Sequence, residues 1–379
     1  MTARPGFTVH PRIRGRISLD LGGAGCDTPA VSPAPAPLLL AHAARQAAAR
    51  ADSLADLGGE LARQLHRLVP HDGYMLSGKD PVTGVGCFLV EHQGYSCAHF
   101  RRIKAAGLLD QQPYPPRRPA DRPTSRPTVA VLDTTATAPP GIVPLLDSMA
   151  GDGWGSEMRL DLVDRAAHWG TLILLRERRR PPFTPADIDN ARQVAAPLAA
   201  SLRGYVGRAR PHPMRTAMPP GVLVIDENDG LASATPTGRE WLRMCFPNLI
   251  LDTDEDLSLT LWNVAAAARR QSEPVLSRIP TGHGFAALAA QRLTGERRGE
   301  VAVTIQAAGT GQLLPAVAAW YGLTPRERTV IDQVLDGRSS KQISHTLDLS
   351  QHTTNDHLKA IYRKIRVNGR DELVATLSC

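Results

Sequence analysis

The stretch "LTPRERTVIDQVLDGRSSKQISHTLDLSQHTTNDHLKAIYRKI", Leu323 to Ile365, contains several signals that start a helix. Thr324 is followed three residues later by Glu327, which is the spacing of a capping box. In a capping box each of the two side chains bonds the backbone N–H of the other residue. Ser339 and Ser350 also carry a small hydroxyl side chain, so each can cap a further helix. The sequence therefore predicts three short helices in this stretch.

Apolar residues recur at helical spacing in each of these segments, so each helix has one face that can be buried. They are Val330, Ile331, Val334 and Leu335, then Ile343 and Leu347, then Leu358, Ile361, Tyr362 and Ile365. Gly337 lies just after the first of these helices, where the backbone often takes the left-handed conformation that favours glycine. A short fourth helix is predicted from Arg370. Together these patterns predict a small all-α domain.

The leading turns of the third predicted helix are polar, with the sequence "QHTTND" at residues 351–356. A short second helix, a tight turn and a longer third helix form a helix-turn-helix, whose third helix lies in the major groove of DNA. A helix that only packs against its neighbours would not need polar residues in its leading turns. The pattern therefore favours a DNA-binding domain over a plain packing domain.

Residues 322–379 resemble the LuxR-type (GerE-like) DNA-binding domain in "LTPRERTV", "GRSSKQIS", "LDLS", "TTNDHL" and "IYRKI". The resemblance implies that the domain binds double-stranded DNA as a homodimer, with RNA polymerase as a further contact. It implies base-facing side chains at Asn355, Asp356 and Lys359. It also implies phosphate-facing side chains at Lys341, Thr353, His357, Arg363 and Lys364, and dimerisation through Leu373, Val374 and Leu377.

The sequence departs from this family at three neighbouring positions. Thr354 stands where the family usually has an aliphatic residue, Asn355 where it often has a basic one, and Asp356 where it rarely has an acid. A carboxylate is repelled by DNA phosphates unless it accepts a hydrogen bond from cytosine. Alternatively, Asp356 pairs with Lys359 three residues along the helix. Both interpretations of Asp356 are open at this point.

The composition indicates a soluble, cytoplasmic protein with several domains. A chain of 379 residues is too long for one ordinary domain. Its net charge of +7 permits a polyanionic partner. The five cysteines (Cys26, Cys87, Cys97, Cys245 and Cys379) have no paired spacing, which is typical of reduced thiols. No apolar run approaches the length of a membrane-spanning helix.

The first half of the chain predicts a disordered tail and then an α+β domain. Residues 1–37 are rich in Pro, Gly and Arg without a sustained period, so we expect them to be disordered. A helical pattern follows from Leu38 to Val69, with a break expected near Gly58 and Gly59. Five strand-like runs come next: "YMLS", "GVGCFLVEH", "VAVLD", "SEMRLDLVD" and "WGTLILLRE". The Pro-rich segment 111–127 between the second and third runs must be a loop, because proline at this density cannot sit in a sheet.

A capped helix ends this region, since Thr184, Pro185 and Asp187 form a strong helix start. The order of helix, strands and helix resembles a GAF sensor module, which we assign to residues 38–205. A linker at 206–218 follows. Residues 219–308 then read as a strand, a turn at Asn228-Asp229-Gly230, a strand, two helices and three strands, and they resemble a small α+β PAS-like module. A second linker, 309–320, leads to the helix-turn-helix domain at 321–379.

No grouping of residues supports catalysis, so we expect that the protein is not an enzyme and uses no cofactor. "LSGKDPVTG" lacks the spacing of a phosphate-binding loop, and no acidic pair marks a phospho-receiver domain. The segment "EHQGYSCAH" contains Glu91, His92, Cys97 and His99. On a strand, Cys97 and His99 would share a face and could ligate a metal or haem. The alternative is that Cys97 packs as a small apolar residue while the two histidines lie at the surface; we expect no metal.

Two functions follow from these patterns. In the first, the protein is a transcriptional regulator that places residues 351–365 in the major groove and is controlled by its front modules, with a small molecule as a candidate effector. In the second, it is a sensory or scaffold protein whose last domain no longer binds DNA. Asp356 and Thr354 are the residues that keep the second hypothesis open.

Overall fold

The structure is a computed structural model that describes residues 36–106, 129–138, 140–165, 167–208, 218–295 and 299–377. Nearly all of the predicted tail, the Pro-rich loop at 111–127 and most of the predicted linker at 206–218 lie outside these residues. No helix within the described ranges combines the length and apolar character needed to span a bilayer.

The first module, residues 36–208, is an α+β unit. It contains α1 (Ala36–Arg50), α2 (Leu54–His66), β1 (Gly73–Lys79), β2 (Gly86–His92), α3 (Cys97–Ala105), β3 (Val129–Asp133), α4 (Val143–Gly151), β4 (Trp154–Asp164), β5 (Ala167–Glu177) and α5 (Pro185–Arg208). The strands form one antiparallel sheet in the order β2-β1-β5-β4-β3. All five strand-like runs of the sequence are therefore strands of this sheet.

Both faces of this sheet are covered by helices. On one face, alternate residues such as Leu76, Leu160 and Leu174 pack with α1, α2 and α5. On the other face, Met75 and Leu175 pack under α3 and α4, with Met149 at the centre of a second apolar cluster. This two-sided burial follows from the alternation of side chains along each strand.

The expected break at Gly58 and Gly59 is wrong. The helical pattern is interrupted before them, and α2 starts after Ser53, whose hydroxyl accepts from the N–H of Asp56. Both glycines lie inside α2, where Gly58 faces the ring of Tyr74. The buried face of α2 offsets the low helix propensity of glycine, because packing contributes more than propensity does.

The central module, residues 219–308, has the predicted order of elements. It contains β6 (Gly221–Ile225), β7 (Leu231–Ala234), α6 (Pro236–Cys245), α7 (Asp254–Arg270), β8 (Val275–Thr281), β9 (Gly284–Arg292) and β10 (Val301–Ala307). Its strands form a second antiparallel sheet in the order β7-β6-β10-β9-β8. When the strands of each module are numbered from its own first strand, both sheets have the same order, 2-1-5-4-3. Asp229 has a φ of 62° in the predicted turn between β6 and β7.

The C-terminal helices are α8 (Thr310–Tyr321), α9 (Pro325–Leu335), α10 (Ser340–Thr346), α11 (Gln351–Ile365) and α12 (Arg370–Leu377). Helix α8 occupies the segment for which the sequence predicted a linker at 309–320, so this connection is helical. The capping boxes at Thr324 and Ser339 are both present. Gly337 has a φ of 80°, as its predicted place after a helix requires.

A buried ion pair joins the first module, the central module and α8. Nη1 of Arg278 on β8 lies 2.8 and 3.0 Å from the two carboxylate oxygens of Asp80, which follows β1. The side chains are 4% and 0% exposed, respectively. Nε of Arg278 donates to the carbonyl oxygen of Gln312 on α8. One guanidinium therefore contacts all three parts of the chain.

The other end of α8 is held by α5. Nη1 of Arg203 donates to the carbonyl oxygen of Trp320 at 3.0 Å, and the hydroxyl of Tyr321 donates to that of Gly207 at 2.6 Å. The ring of Trp320 stacks on Phe285 of β9, with 4.7 Å between ring centroids. Helix α8 thus rests on both preceding modules before it reaches the C-terminal domain.

Candidate nucleic-acid interface

Helix α11 has one buried face and one exposed face. It starts after Ser350, whose hydroxyl accepts from the N–H of Thr353 at 3.0 Å. The buried side chains are those of Thr354, Leu358, Ile361 and Ile365. The exposed face carries the three predicted base-facing residues, Asn355, Asp356 and Lys359, together with Arg363. The structure therefore brings the predicted base-facing residues onto one accessible surface.

Thr354 is fully buried where α10 and α11 cross. The hydroxyl of Ser344 on α10 donates to that of Thr354 at 2.9 Å and lies 2.8 Å from the carbonyl oxygen of Ser340. A buried hydroxyl is tolerated when it is hydrogen-bonded. Thr354 thus fits the position at which an aliphatic residue would be expected, and small Ser344 permits the close crossing.

Asp356 is not paired with Lys359, so that interpretation of its carboxylate is wrong. Its Oδ2 lies 3.4 Å from Nε2 of His352, one turn earlier in α11. Both side chains are well exposed, at 56% for Asp356 and 87% for His352. A pair between side chains this exposed adds little to folding stability. The contact places the imidazole of His352 beside the carboxylate of Asp356.

The predicted phosphate-facing residues differ in their surroundings. Lys341, Thr353 and Arg363 are exposed, and His357 is half-buried. The amine of Lys364, in contrast, lies 2.6 and 2.8 Å from the carboxylate oxygens of Glu327 and 3.1 Å from the carbonyl oxygen of Gly322. A phosphate contact by Lys364 would have to compete with these bonds.

The environment of Glu327 favours its charged form. Burial by itself would raise the pKa of this carboxyl group, but hydrogen bonds from Lys364 and from Thr324 outweigh the burial and lower the pKa. The N–H of Thr324 donates to Oε2 of Glu327 at 2.7 Å as part of the capping box. Glu327 therefore both caps α9 and binds the last turn of α11.

Two of the three predicted dimerisation residues lie inside the domain. Leu373 is fully buried and Leu377 is 3% exposed, while Val374 is half-buried. Helix α12 packs on α9 and α11, and the hydroxyl of Thr310 donates to the carbonyl oxygen of Leu377 at 2.6 Å. Dimerisation through Leu373 and Leu377 stays a prediction, and it requires α12 to separate from these helices.

The candidate metal ligands in "EHQGYSCAH" do not have the predicted arrangement. Cys97 and His99 lie on α3 and not on a strand. His99 is buried: its ring stacks on Tyr95 at 3.8 Å and its Nδ1 lies 2.9 Å from the hydroxyl of Ser148. Burial lowers the pKa of His99. Within the described residues, no three His, Cys, Asp or Glu side chains form a group that could hold a metal ion.

Sequence reasoning missed the residues that connect the modules. Arg278 is the one charged residue in "PVLSRIP", an otherwise strand-like run, and a charged residue in a buried strand needs a partner. That pattern signals a buried ion pair but does not identify Asp80. Likewise, the four-residue spacing of His352 and Asp356 is visible in the sequence, although the pair was not predicted.

Comparison with known proteins identifies the last domain. Residues 322–377 match the family described as bacterial regulatory proteins, luxR family. The C-terminal domain is a luxR-family helix-turn-helix domain. The match covers the four helices α9 to α12 whose geometry is given above.

Two curated regulators are similar to parts of this chain. An HTH-type transcriptional regulator of Mycobacterium tuberculosis is 25% identical over 228 residues, which cover 56% of this chain and 23% of the relative. The monoamine regulon transcriptional regulator of Klebsiella aerogenes is 40% identical over 62 residues, 16% of this chain and 25% of that protein. The chain thus spans about a quarter of the length of either relative. A comparison with a crystal structure of Escherichia coli SdiA spans 89% of this chain and 95% of the SdiA chain, with 12% identity and a TM-score of 0.33.

Proposed function

We propose that the protein is a transcriptional regulator that binds double-stranded DNA through its luxR-family domain. The observation that carries the proposal is the exposed face of α11, on which Asn355, Asp356 and Lys359 are accessible while the opposite face is buried. In a helix-turn-helix this face enters the major groove.

The side chains on this face have the chemistry of base and phosphate contacts. Asn355 can bond adenine with two hydrogen bonds, and Lys359 can donate to guanine. Lys341, Thr353, His357 and Arg363 can bond phosphate oxygens, and such contacts position the helix without reading sequence. The predicted homodimer places two copies of α11 on successive half-sites.

The contacts of α8 support control of this domain by the front modules. We assign residues 38–205 to a GAF-like sensor and 219–308 to a PAS-like module, with a small molecule as the candidate effector. Arg278 of the central module bonds Asp80 of the first module and the start of α8, and Arg203 of α5 bonds the end of α8. Through these contacts a change in either module can act on the helix that precedes the DNA-binding domain. The protein acts in the cytoplasm, where its DNA is.

The alternative is a sensory or scaffold protein in which DNA binding is lost. The exposed carboxylate of Asp356 is the observation that favours it, because an acid facing phosphates weakens DNA binding. Under this alternative the accessible face of α11 would contact a protein or remain in solvent.

Binding of the full chain to the DNA upstream of its own gene, measured across a salt series, separates the two. We expect specific binding, and we expect Arg363→Ala to weaken it and to reduce the salt slope by about one unit for each phosphate that the variant no longer binds. Arg292→Ala, which removes an exposed arginine of the central module, is the matched control. If the wild-type chain binds neither this DNA nor any duplex from a random library, the regulator proposal is wrong.

A further inference from the structure

Asp356 is the one acidic residue of α11, whose sequence is "QHTTNDHLKAIYRKI". It lies in the exposed leading half of the helix, between Asn355 and Lys359, where side chains would meet base edges. An acid at this place weakens attraction to phosphates and so needs a compensating role. Given the proposed DNA binding, the question is which bases can donate a hydrogen bond to this carboxylate.

The structure leaves part of the Asp356 carboxylate available to DNA. Oδ2 faces Nε2 of His352 at 3.4 Å, whereas Oδ1 has no protein partner among the described residues. An ionised carboxylate can accept about four hydrogen bonds, and the contact with histidine leaves most of this capacity free. His352 lies on the same face one turn earlier, with its Nε2 beside that oxygen.

The major groove restricts what a carboxylate can bind. Guanine presents the acceptors O6 and N7 there, and thymine presents O4. Only cytosine, through its N4 amino group, and adenine, through its N6 amino group, donate hydrogen bonds in this groove. A carboxylate therefore accepts from cytosine or adenine and is repelled by the acceptors of guanine and thymine.

We infer that Asp356 is a specificity-determining residue that selects a base carrying an exocyclic amino group in the major groove, and that His352 is a positioning residue for its carboxylate. Lys359, three residues further on, supplies the complementary chemistry. Side chains three apart on a helix are neighbours, about 5–6 Å between Cβ atoms. A G·C pair offers the guanine acceptors to Lys359 and the cytosine amino group to Asp356, so cytosine is the favoured base.

The test selects duplexes from a random library with the full-length chain and sequences those that bind. Wild type is compared with Asp356→Ala and Asp356→Asn, and with Asp332→Ala, which removes an exposed acid from α9 as the matched control. We expect one position in the half-site at which wild type requires cytosine or adenine. Replacing that base by one without an amino group should lower affinity about 5- to 150-fold.

The variants should change preference at that position alone. Asp356→Ala should bind all four bases there with similar affinity, and Asp356→Asn should accept bases without an amino group because an amide also donates. Cytosine and adenine are told apart by which base wild type enriches. If Asp356→Ala selects the same sequences as wild type, the inference is overturned while the proposed function stands. If wild type enriches nothing, both fail.

His352 is tested by the same selection. His352→Ala should weaken the preference at the Asp356 position, because the carboxylate is no longer held. His352→Gln should keep most of that preference, since its amide N–H can donate to Oδ2. Equal selectivity of His352→Ala and wild type would show that the pair does not position the carboxylate. A general loss of affinity without a change in preference would overturn it as well.

Discussion

The amine of Lys364 at the end of α11 lies 2.6 Å from Oε2 of Glu327 at the start of α9. The same amine bonds the carbonyl oxygen of Gly322, the residue that ends α8. Lys364 therefore connects α11 both to α9 of its own domain and to the end of α8. Because Glu327 is nearly buried, this pair is stronger than a surface ion pair.

Glu327→Gln should make the C-terminal domain less stable and less sensitive to acid. The pKa of Glu327 is lowered in the folded protein, so the pair contributes stability above its ordinary pKa of about 4.3 and loses it as pH falls below that value. Glutamine can still cap α9 but carries no charge, so we expect a loss of about 1–3 kcal/mol at pH 7.

Hydrogen exchange of α9 and α11 amides, corrected for intrinsic rates at each pH, measures this effect. The difference between wild type and Glu327→Gln should shrink from pH 7 to pH 3. Asp371→Asn, an exposed acid of α12, is the control and should show little difference. A difference that is the same at pH 3 and pH 7 would contradict the assigned ion pair.

Lys364 and Arg363 should separate stability from DNA binding. Lys364→Met removes the bonds to Glu327 and Gly322, so we expect it to lower stability by about 2–4 kcal/mol, since it leaves a carboxylate without its partner. Arg363→Ala alters an exposed side chain and should lower DNA affinity with little change in stability. Thermal unfolding and DNA titration of the same samples provide both values. If Lys364→Met alters only the salt slope of DNA binding, its phosphate role outweighs its internal one.

Asp80→Asn should loosen the junction between the modules. It leaves the Arg278 guanidinium buried without a charged partner, which costs about 3–5 kcal/mol. The double variant Asp80→Asn with Arg278→Met removes both charges and should recover much of this loss. Hydrogen exchange in β8 and α8 shows where the loosening occurs, and Asp52→Asn at the surface of the first module is the control. Unchanged exchange in both elements would show that the pair does not couple them.

Thr354→Val should leave the helix-turn-helix folded and close to wild type in stability. The hydroxyl of Thr354 accepts from Ser344, but Ser344 can donate instead to the carbonyl oxygen of Ser340. Valine has nearly the same shape, so we expect a change within about 1 kcal/mol. Thr354→Ala creates a small cavity between α10 and α11 and should cost more. Urea unfolding of both variants makes the comparison, and equal losses would show that the hydroxyl is required.

His99 should make the first module sensitive to mild acid. Burial lowers the pKa of its imidazole in the folded protein. As pH falls through about 6.5, the imidazole is therefore protonated in the unfolded chain before it is protonated in the folded one. Stability is then lost below that pH, by up to about 1.4 kcal/mol per pH unit. Hydrogen exchange of α3 and α4 between pH 8 and pH 5 measures the loss. His99→Gln should make stability depend less on pH over this range. If the variant loses as much stability as wild type between pH 8 and pH 5, His99 is not the group responsible.

Local signals in the sequence predicted the elements of the fold well. Thr324 with Glu327, and Ser339 with Gln342, start helices where the sequence placed them, because a capping box depends only on neighbouring residues. The signal failed at Gly58 and Gly59, where packing against Tyr74 keeps glycine in a helix. It failed again at Cys97 and His99, since Ser96 caps a helix in a segment that was expected to be a strand.

The candidate DNA-binding surface was only partly predictable. The exposed positions of Asn355, Asp356 and Lys359 follow from helical periodicity once Leu358 and Ile361 are recognised as buried. The sequence offered Lys359 as one candidate partner of Asp356, whereas the structure places His352 beside it, because spacings of three and four residues are both compatible with a pair on a helix. The bonds of Lys364 could not be foreseen, because Glu327 is 37 residues away in the chain.

The sequence by itself determined the strands of both sheets, the capped starts of α5, α9, α10 and α11 and the luxR-type character of the last domain, because all of these depend on contacts between residues close in the chain. Only the tertiary structure decided that Asp80 meets Arg278, that α8 joins three parts of the chain, and that Leu373 and Leu377 are core residues. These depend on which surfaces meet when the modules pack. Partners that are distant in sequence are chosen by burial and charge, and neither leaves a local pattern.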